Sequence, residues 1–485
     1  VAISALLTLL GEDFAIWNCG MGLTSGNSVT DELQLCVFDL KRGQLEGQEM
    51  DKILYFYPQD VSFSSQLSVI GLSEGLITFT RMFSPEEACE VIEAERHSHI
   101  FFEAEADIWM VMVVEKVKNA ESKWRIDSLR KILKEMSSLF EMFHGNIRAM
   151  LDREPGGGLA RSHLHAFIND YLKDHIVGKK LSLPSFLDCL NERGTVQMLT
   201  VGRDAALEVQ SLAGLLESCG GSSNCHSMIM FHELLVSTTL PPDDTINMFT
   251  YAVRHLIPHA LSSGTTLSSW PYLRSTDAAN QSSRATEVTR PLQSGGWFVG
   301  NDGFLATSIW SGEPTMWLKS GEKIYICAYQ YKGLTAIVAS PVANGEALKK
   351  HILASQASVK MVKLEEKLTK GWGGQNAYHV RGYRYLLLDN DTHVSRSSPS
   401  DKVATLPKES LLAMSKLRDE VNRGNSDTDL EICIRAKNNT WIIAQCTRGK
   451  ALYIVLPQPN ETLLYASNAV QKFSNRYCGG AFSSA

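Results

Sequence analysis

No stretch of the chain strings together the ~18 to 20 continuous apolar residues that a membrane-spanning helix needs. There is no basic excess either: 47 Lys and Arg stand against 53 Asp and Glu, a formal net charge of −6, which argues against a dedicated nucleic-acid binder. The ten cysteines are scattered, and none form the C-x-x-C pairs that fix a structural zinc ion. Cys36, Cys327 and Cys433 lie inside apolar runs, where a thiol packs as a small hydrophobe, so a reducing compartment is expected. Phosphate cradles are missing as well, because neither the glycines at 156–158 nor those at 371–374 are followed by the Lys-Ser/Thr of a P-loop. Glu365 and Glu366 are adjacent, not paired across a cleft, so glycosidase-type acid/base work is unsupported. No nucleotide, metal or other cofactor is expected.

What is present is material for folding. A chain of 485 residues exceeds one hydrophobic core and implies two to four domains, and 44% hydrophobic with 21% charged residues is close to the globular average. Residues 1–32 are expected to be a leader or a disordered N-terminus. The Val1–Leu10 run resembles a signal-peptide core, yet no basic residue precedes it and Gly11-Glu12-Asp13 follows without a small-residue cleavage site. Secretion is therefore not expected, and the sequons at Asn280, Asn390, Asn438 and Asn460 carry no weight.

The first block opens with two short apolar runs, 33–40 and 53–57, joined by a polar loop and read as a β-hairpin. Residues 63–83 are densely apolar and read as a buried helix. Strands at 99–102 and 108–114 follow, the second apolar on both faces as a central strand would be. Ile126, Leu129, Ile132, Leu133, Met136, Leu139, Phe140 and Phe143 recur at three- and four-residue steps, an amphipathic helix. The order β-β-α-β-β-α is then repeated: strands within 226–239, a helix at 243–256, a hairpin at 323–340 turning at Lys332-Gly333, and a helix at 346–370. A third block holds a strand at 383–389, a helix at 408–423, a hairpin at 430–456 and a helix at 461–477. Three α/β modules are expected, with a Ser/Thr-rich mobile loop at 262–296 inside the second.

The sharpest enzyme-like signal is Gly71-Leu72-Ser73-Glu74-Gly75, a literal G-x-S-x-G. A hydrolase would need a parallel sheet around it, whereas the preceding hairpin implies antiparallel pairing, so the glycines are read as packing positions in a helix. Cys219, Cys225, His226 and His232 lack zinc-site intervals, and His163 and His165, two apart on a helix, point to different faces. On the helix at 346–370, Lys360, Lys363, Lys367 and Lys370 fall on one stripe beside the apolar stripe Met361, Leu364 and Leu368, which makes the lysines a candidate contact with an anionic membrane surface.

Together the segments 53–58, 69–85 (V-I-G-L-S-E-G-L-I-T-F-T-R-M-F-S-P) and 101–115, which ends in W-M-V-M-V-V-E, closely resemble the vacuolar fusion protein Ccz family, especially its plant form. Further likeness runs through 371–379, 383–386, 434–441 and 473–477, covering nearly everything from about Gln34 onward. The resemblance implies an α/β (α+β) architecture of three longin-like domains, each a mainly antiparallel sheet flanked by helices, at 33–200, 201–370 and 371–485. It also implies a heterodimer with Mon that acts as guanine nucleotide exchange factor for a late-endosomal Rab GTPase. Such a protein has no active site of its own, is cytoplasmic, and is recruited peripherally to the late endosome or prevacuolar compartment and the vacuole. The alternative is a non-catalytic longin scaffold of another trafficking complex. The expected partner-binding residues are Gly71, Glu74, Gly75 and Phe79, on a helix whose glycine pair allows close backbone approach.

Overall fold

The computed structural model describes residues 33–84, 89–115, 122–177, 180–181, 195–199, 201–219, 225–257, 296–297, 315–341, 357–373, 384–397, 408–423, 429–447, 449–456 and 460–477. The expected N-terminal leader, most of the loop at 262–296 and the first part of the helix at 346–370 lie outside these. Of that loop only Gly296 is described, in a two-residue strand. The chain divides into two compact units, residues up to 141 with 145–183, and residues 142–144 with everything from 184 on.

Unit 1 is built on β1 (Gln34–Asp39), β2 (Ile53–Tyr57), α1 (Phe63–Phe83), β3 (Val91–Glu93), β4 (His97–Glu105), β5 (Ile108–Glu115), α2 (Ser122–His144), α3 (Ile147–Arg153) and α4 (Gly158–His175). Its sheet runs β2-β1-β5-β4-β3, antiparallel throughout. Period-two alternation sorts the strand residues. Cys36, Phe38, Phe56, Phe101, Trp109, Val111 and Val113 pack with Ile70 and Ile77 of α1. Leu35, Val37, Ile108, Met110 and Met112, of the opposite parity, are also buried, as is the apolar stripe of α2. Phe140 of α2 meets Phe167 of α4 edge-on at 5.5 Å, and the Tyr171 hydroxyl of α4 donates to Glu135 of α2 at 2.9 Å.

Helix α1 corrects the expectation of a buried helix. Only Gln66, Ile70, Ser73 and Ile77 are buried on it, at steps of four, three and four, and its other side is open. The missed elements are short: β3 and α3 have three and seven residues.

Unit 2 holds two sheets. The first has β7 (His226–Phe231), β8 (Leu234–Thr238), β9 (Gly296–Trp297), β10 (Thr315–Trp317), β11 (Lys323–Tyr331) and β12 (Leu334–Ser340), in the order β8-β7-β12-β11-β9 with β10 also on β11. Its helices are α5 (Arg203–Ser218), α6 (Pro242–Tyr251) with a π-helical continuation to Leu256, and α7 (Ala357–Gly373). The second sheet has β13 (Arg384–Asp389), β14 (Val394–Ser397), β15 (Leu430–Arg435), β16 (Trp441–Thr447) and β17 (Lys450–Val455), in the order β15-β16-β17-β13-β14. On its two faces lie α8 (Lys408–Arg423), with Leu386, Leu388, Ile442, Ala444 and Tyr453 beneath Met414 and Leu417, and α9 (Leu463–Tyr477), with Ile443, Leu452 and Ile454 beneath Ala466, Val470 and Phe473.

Each sheet therefore repeats one plan: a hairpin, a helix, then strands that return so that the last lies beside the first. The sequence order was legible, but the expected single hairpin at 430–456 is a three-stranded meander, because a second turn forms at Gly449 in the left-handed conformation (φ +74°). The short β6 (Val196–Gln197), which sequence reading had counted with the first module, pairs in parallel with β14, while Met198 bridges to Leu235 of β8. Residues 195–199 thus join the two sheets of unit 2.

One end of unit 1 is closed by charge. Asp39 is fully buried and accepts two hydrogen bonds from Arg148, from Nη1 at 2.6 Å and Nη2 at 3.2 Å. The Glu105 carboxylate accepts the backbone N–H groups of Ile147 and Arg148 at the start of α3. Arg148→Met would leave the buried Asp39 carboxylate with the Lys41 N–H but without its cation, and should cost about 3 to 5 kcal/mol in urea unfolding of unit 1. A loss below about 1 kcal/mol would contradict the burial of this pair.

On the same strand face as Phe101, burial, followed by the charge of neighbouring His97, holds the His99 imidazole down at about 4 from its ordinary 6.5. The folded-state value is depressed, so the unfolded chain takes up a proton first. The contribution is complete above about pH 6.5 and is lost as pH falls toward about 4, with a slope of at most about 1.4 kcal/mol per pH unit. His99→Phe should flatten that part of the stability profile, measured as urea midpoints at pH 7 and pH 5; an unchanged slope would show that His99 is not the group responsible.

Candidate functional site

The outer face of α1 spends stability without return among the described residues. The helix starts cleanly, with the Ser62 hydroxyl accepting from the Ser65 N–H, and the Ser84 N–H closing its end onto the Thr80 carbonyl. Opposite its buried side run Ser64, Ser68, Gly71, Gly75, Phe79 and Met82, spaced by four, three, four, four and three, a single exposed stripe. A Cβ built on Gly71 or Gly75 would meet nothing within 4 Å. Neither glycine has a positive φ. Glycine inside a helix costs about 1 kcal/mol relative to alanine, so the pair gives up roughly 2 kcal/mol that no contact among the described residues recovers.

The stripe ends in an apolar cluster. Phe79 and Phe83 stand with ring centroids 4.8 Å apart, and Phe79, Met82 and Phe83 are 40%, 75% and 64% exposed. Sequence reasoning named Phe79 and missed Met82 and Phe83, although the same three- and four-residue steps lead to Met82. Glu74 sits on the flank, where both its carboxylate oxygens take hydrogen bonds from Lys52 Nζ at 2.9 and 2.7 Å. It fixes α1 to the chain before β2 rather than standing free.

The carboxyl end of α1 is anchored. Arg81 donates to Glu103 at 2.8 Å and Asp107 at 3.1 Å, and its guanidinium lies 5.3 Å from the Trp109 ring centroid. The hydrogen bond from Lys41, with a second from Arg81, holds the Asp107 carboxyl below the usual carboxylate range. The exposed aromatic cluster is therefore presented on a fixed helix end.

The competing sites dissolve on inspection. Ser73, the centre of the G-x-S-x-G pattern, is fully buried, and its hydroxyl donates to the Val69 carbonyl one turn earlier at 2.8 Å, so it is no nucleophile. Among the described residues no group of three or more His, Cys, Asp or Glu could hold a metal ion. The Cys219 thiol donates to the Leu215 carbonyl, His226 pairs with the Thr239 carbonyl, and His165 lies against Gln59 and Asn169.

The lysine stripe of α7 is real as a stripe, since Met361, Leu364 and Leu368 beside it are buried. Much of it is turned to α5. Lys360 donates to the Ser211 hydroxyl at 2.7 Å and Lys367 pairs with Glu208 at 2.9 Å, which holds the Glu208 carboxyl below its ordinary range. Lys363 and Lys370 are exposed.

The family model described as the first longin domain of INTU, CCZ1 and HPS4 matches residues 33–145, the span from β1 through α2 that includes α1. Over nearly its whole length the chain is 60% identical to vacuolar fusion protein CCZ1 homolog B of Arabidopsis thaliana, with 95% of this chain and 99% of that protein aligned. It is 54% identical to homolog A of the same plant, and 53% identical to the CCZ1 homolog of Oryza sativa subsp. japonica over 96% of this chain and all of that one. The chain belongs to the vacuolar fusion protein CCZ1 family.

Membership explains the antiparallel β-β-α-β-β-β-α plan of residues 34–144 as a longin domain, and animal CCZ1 homologs, such as that of Nematostella vectensis at 23% identity over 92% of this chain, span the same length. It also accords with the loss of the Ser73 hydrolase reading. If the α1 glycines answer to something outside the chain, Gly71→Ala and Gly75→Ala should each stabilise the free CCZ1-family chain, by about 0.5 to 1 kcal/mol in urea unfolding. A drop in stability for either would mean that the position packs internally.

Proposed function

We propose that this CCZ1-family chain is one half of a Mon/Ccz-type heterodimeric guanine nucleotide exchange factor, pairing through α1 with the matching module of a Mon subunit and acting on a late-endosomal Rab GTPase for fusion with the vacuole. The observation that carries the reading is the bare Gly71/Gly75 stripe ending in exposed Phe79, Met82 and Phe83. Small residues at four-residue spacing let a second helix approach backbone to backbone, and an aromatic–methionine cluster at one end supplies the apolar anchor typical of an interface core.

An exchange factor makes and breaks no covalent bond. It binds the nucleotide-free GTPase more tightly than the loaded one, and that difference in affinity opens the switch region and weakens magnesium and nucleotide. A role of this kind asks for a binding face rather than a catalytic constellation, and relatives whose names say vacuolar fusion support it. In this reading the protein is cytoplasmic and recruited peripherally to the late endosome, prevacuolar compartment or vacuole; no described helix is long and apolar enough to cross a membrane. The open lysines Lys363 and Lys370 are then what remains of the α7 stripe for an anionic surface.

Release of fluorescent GDP from the Rab, measured with the chain alone, the Mon subunit alone and both together, tests the proposal. Both together should accelerate release by about tenfold or more, and Gly75→Trp, which closes the stripe, should abolish co-purification and acceleration alike. Pairing without acceleration would leave a scaffold subunit of a trafficking complex, and intact pairing of Gly75→Trp would remove α1 from the interface.

A further inference from the structure

Strand β15 forms one edge of the third sheet and, among the described residues, pairs only with β16. At the other end of that sheet β14 is covered by β6. Edge strands of soluble proteins are commonly blunted by a proline, a bulge or an inward charge, because their free N–H and C=O groups otherwise template another strand. Strand β15, L-E-I-C-I-R, contains no proline and keeps an unbroken register with β16 over all six residues, and its Ile432 and Ile434 are only half-buried.

The ladder decides which backbone groups face outward. The Ala436 N–H donates to the Thr440 carbonyl at 2.9 Å, two residues beyond the Ile434–Ile442 pair, so the even-numbered residues turn their N–H and C=O toward β16. Those of Glu431, Cys433 and Arg435 point out of the edge. The same alternation sorts the side chains. Ile432 and Ile434 pack with the core under α8, whereas Cys433 joins the core under α9, Glu431 accepts the Ser467 hydroxyl of α9 at 2.9 Å, and the Arg435 guanidinium lies 5.7 Å from the Trp441 ring centroid. Taken at every second position, residues 429 to 437 read Asp429, Glu431, Cys433, Arg435, Lys437: two acids, a cysteine and two bases. The four charged residues are exposed, and their charges sum to zero.

We infer that β15 pairs antiparallel with β15 of a second copy of this chain, about a two-fold axis at Cys433, so that the two third-module sheets become one. The order of charges is what selects a second copy. In that register Glu431 stands opposite Arg435 of the other strand and Arg435 opposite its Glu431, while Asp429 and Lys437 face one another at the two ends of the ladder. On the other side of the sheet Ile432 meets Ile434, and Leu430 meets Ala436. Each charge finds its opposite and each apolar side chain an apolar one, as an isologous contact requires. A slip of two residues in either direction sets a charged side chain against Cys433 and breaks the inner pairs. The pairs at 431, 433 and 435 each exchange two backbone hydrogen bonds, about six in all, a small contact of the transient class that forms as concentration rises. A surface met by one copy is then met by the second at high effective concentration. Strand β15 belongs to the third module and α1 to the first, so this inference can fail while the exchange-factor reading stands.

Sedimentation velocity of the full chain, from about 1 to about 100 μM, tests the pairing through charge reversal. Wild type should move from monomer toward dimer over this range. Glu431→Arg and Arg435→Glu each place like charges opposite one another at both inner pairs, and each should raise the dimer dissociation constant by about tenfold or more. The double variant Glu431→Arg, Arg435→Glu restores opposite charges and should return to within about threefold of wild type, a rescue that loss of folding could not produce. Amide exchange of the peptide at 430–435 should slow as wild-type concentration rises. A wild type that stays monomeric, single variants that dimerise as well as wild type, a double variant no better than the singles, or exchange at 430–435 that ignores concentration would each overturn the inference. So would a chain that remains monomeric alone and loses its Mon subunit on Glu431→Arg, since the edge would then belong to that partner.

Discussion

The strand β5, Ile108–Glu115, is buried at every position but the last, so its side chains project apolar groups from both faces of the sheet at once. A sheet in that condition needs a helix layer on each side, and this one constraint dictates the module: α1 must lie on Trp109, Val111 and Val113, and the remaining face must be closed from the other side. The helix layer needs only one apolar stripe to do so. What the far side of α1 carries is then free of the core, and here it carries glycines and large apolar side chains instead of the charges a solvated helix would show.

The contrast with the equivalent helices gives that observation its force. All three sheets share the order in which the last strand returns beside the first, and in each a helix follows the opening hairpin. Among the described side chains of α8 the exposed ones are Glu409, Leu412, Lys416 and Glu420, of which Leu412 is the large apolar one. On α6 the fully exposed positions are confined to its first turn. Only α1 among the three combines open glycines with an exposed aromatic cluster, so the same architectural slot has been given a different outer face in the first module.

How much of this could be read from the sequence follows from the range of the interactions involved. Hairpins, central strands and helix stripes are local patterns, and 34–39, 53–57, 63–83, 384–389 and 408–423 fall where periodicity puts them. Helix α5 was missed even though Val209, Leu212 and Leu216 recur at the right steps, because it precedes its sheet's first strand and the repeating order has no slot there. The strap at 195–199 is stitched to residues about 200 positions away, and the Asp39–Arg148 pair spans 109, so no local signal could have announced either. At the candidate site, Gly71, Gly75 and Phe79 were legible as a stripe. Glu74 is paired with Lys52, which lies before β2, a partner that no local pattern announces. The α7 lysines show the same limit, since their spacing was right but Ser211 and Glu208 of α5 were not in view.

Everything proposed for α1 requires that its outer face be covered when the protein is at work. Amide hydrogen exchange across residues 63–83, compared between the free chain and its complex with the Mon subunit, measures this directly. The expected result is slowed exchange in the peptide spanning Gly71 to Phe83 on complex formation, with the α8 peptide at 408–423 unchanged. Identical exchange of 63–83 in the free and bound chain would contradict it.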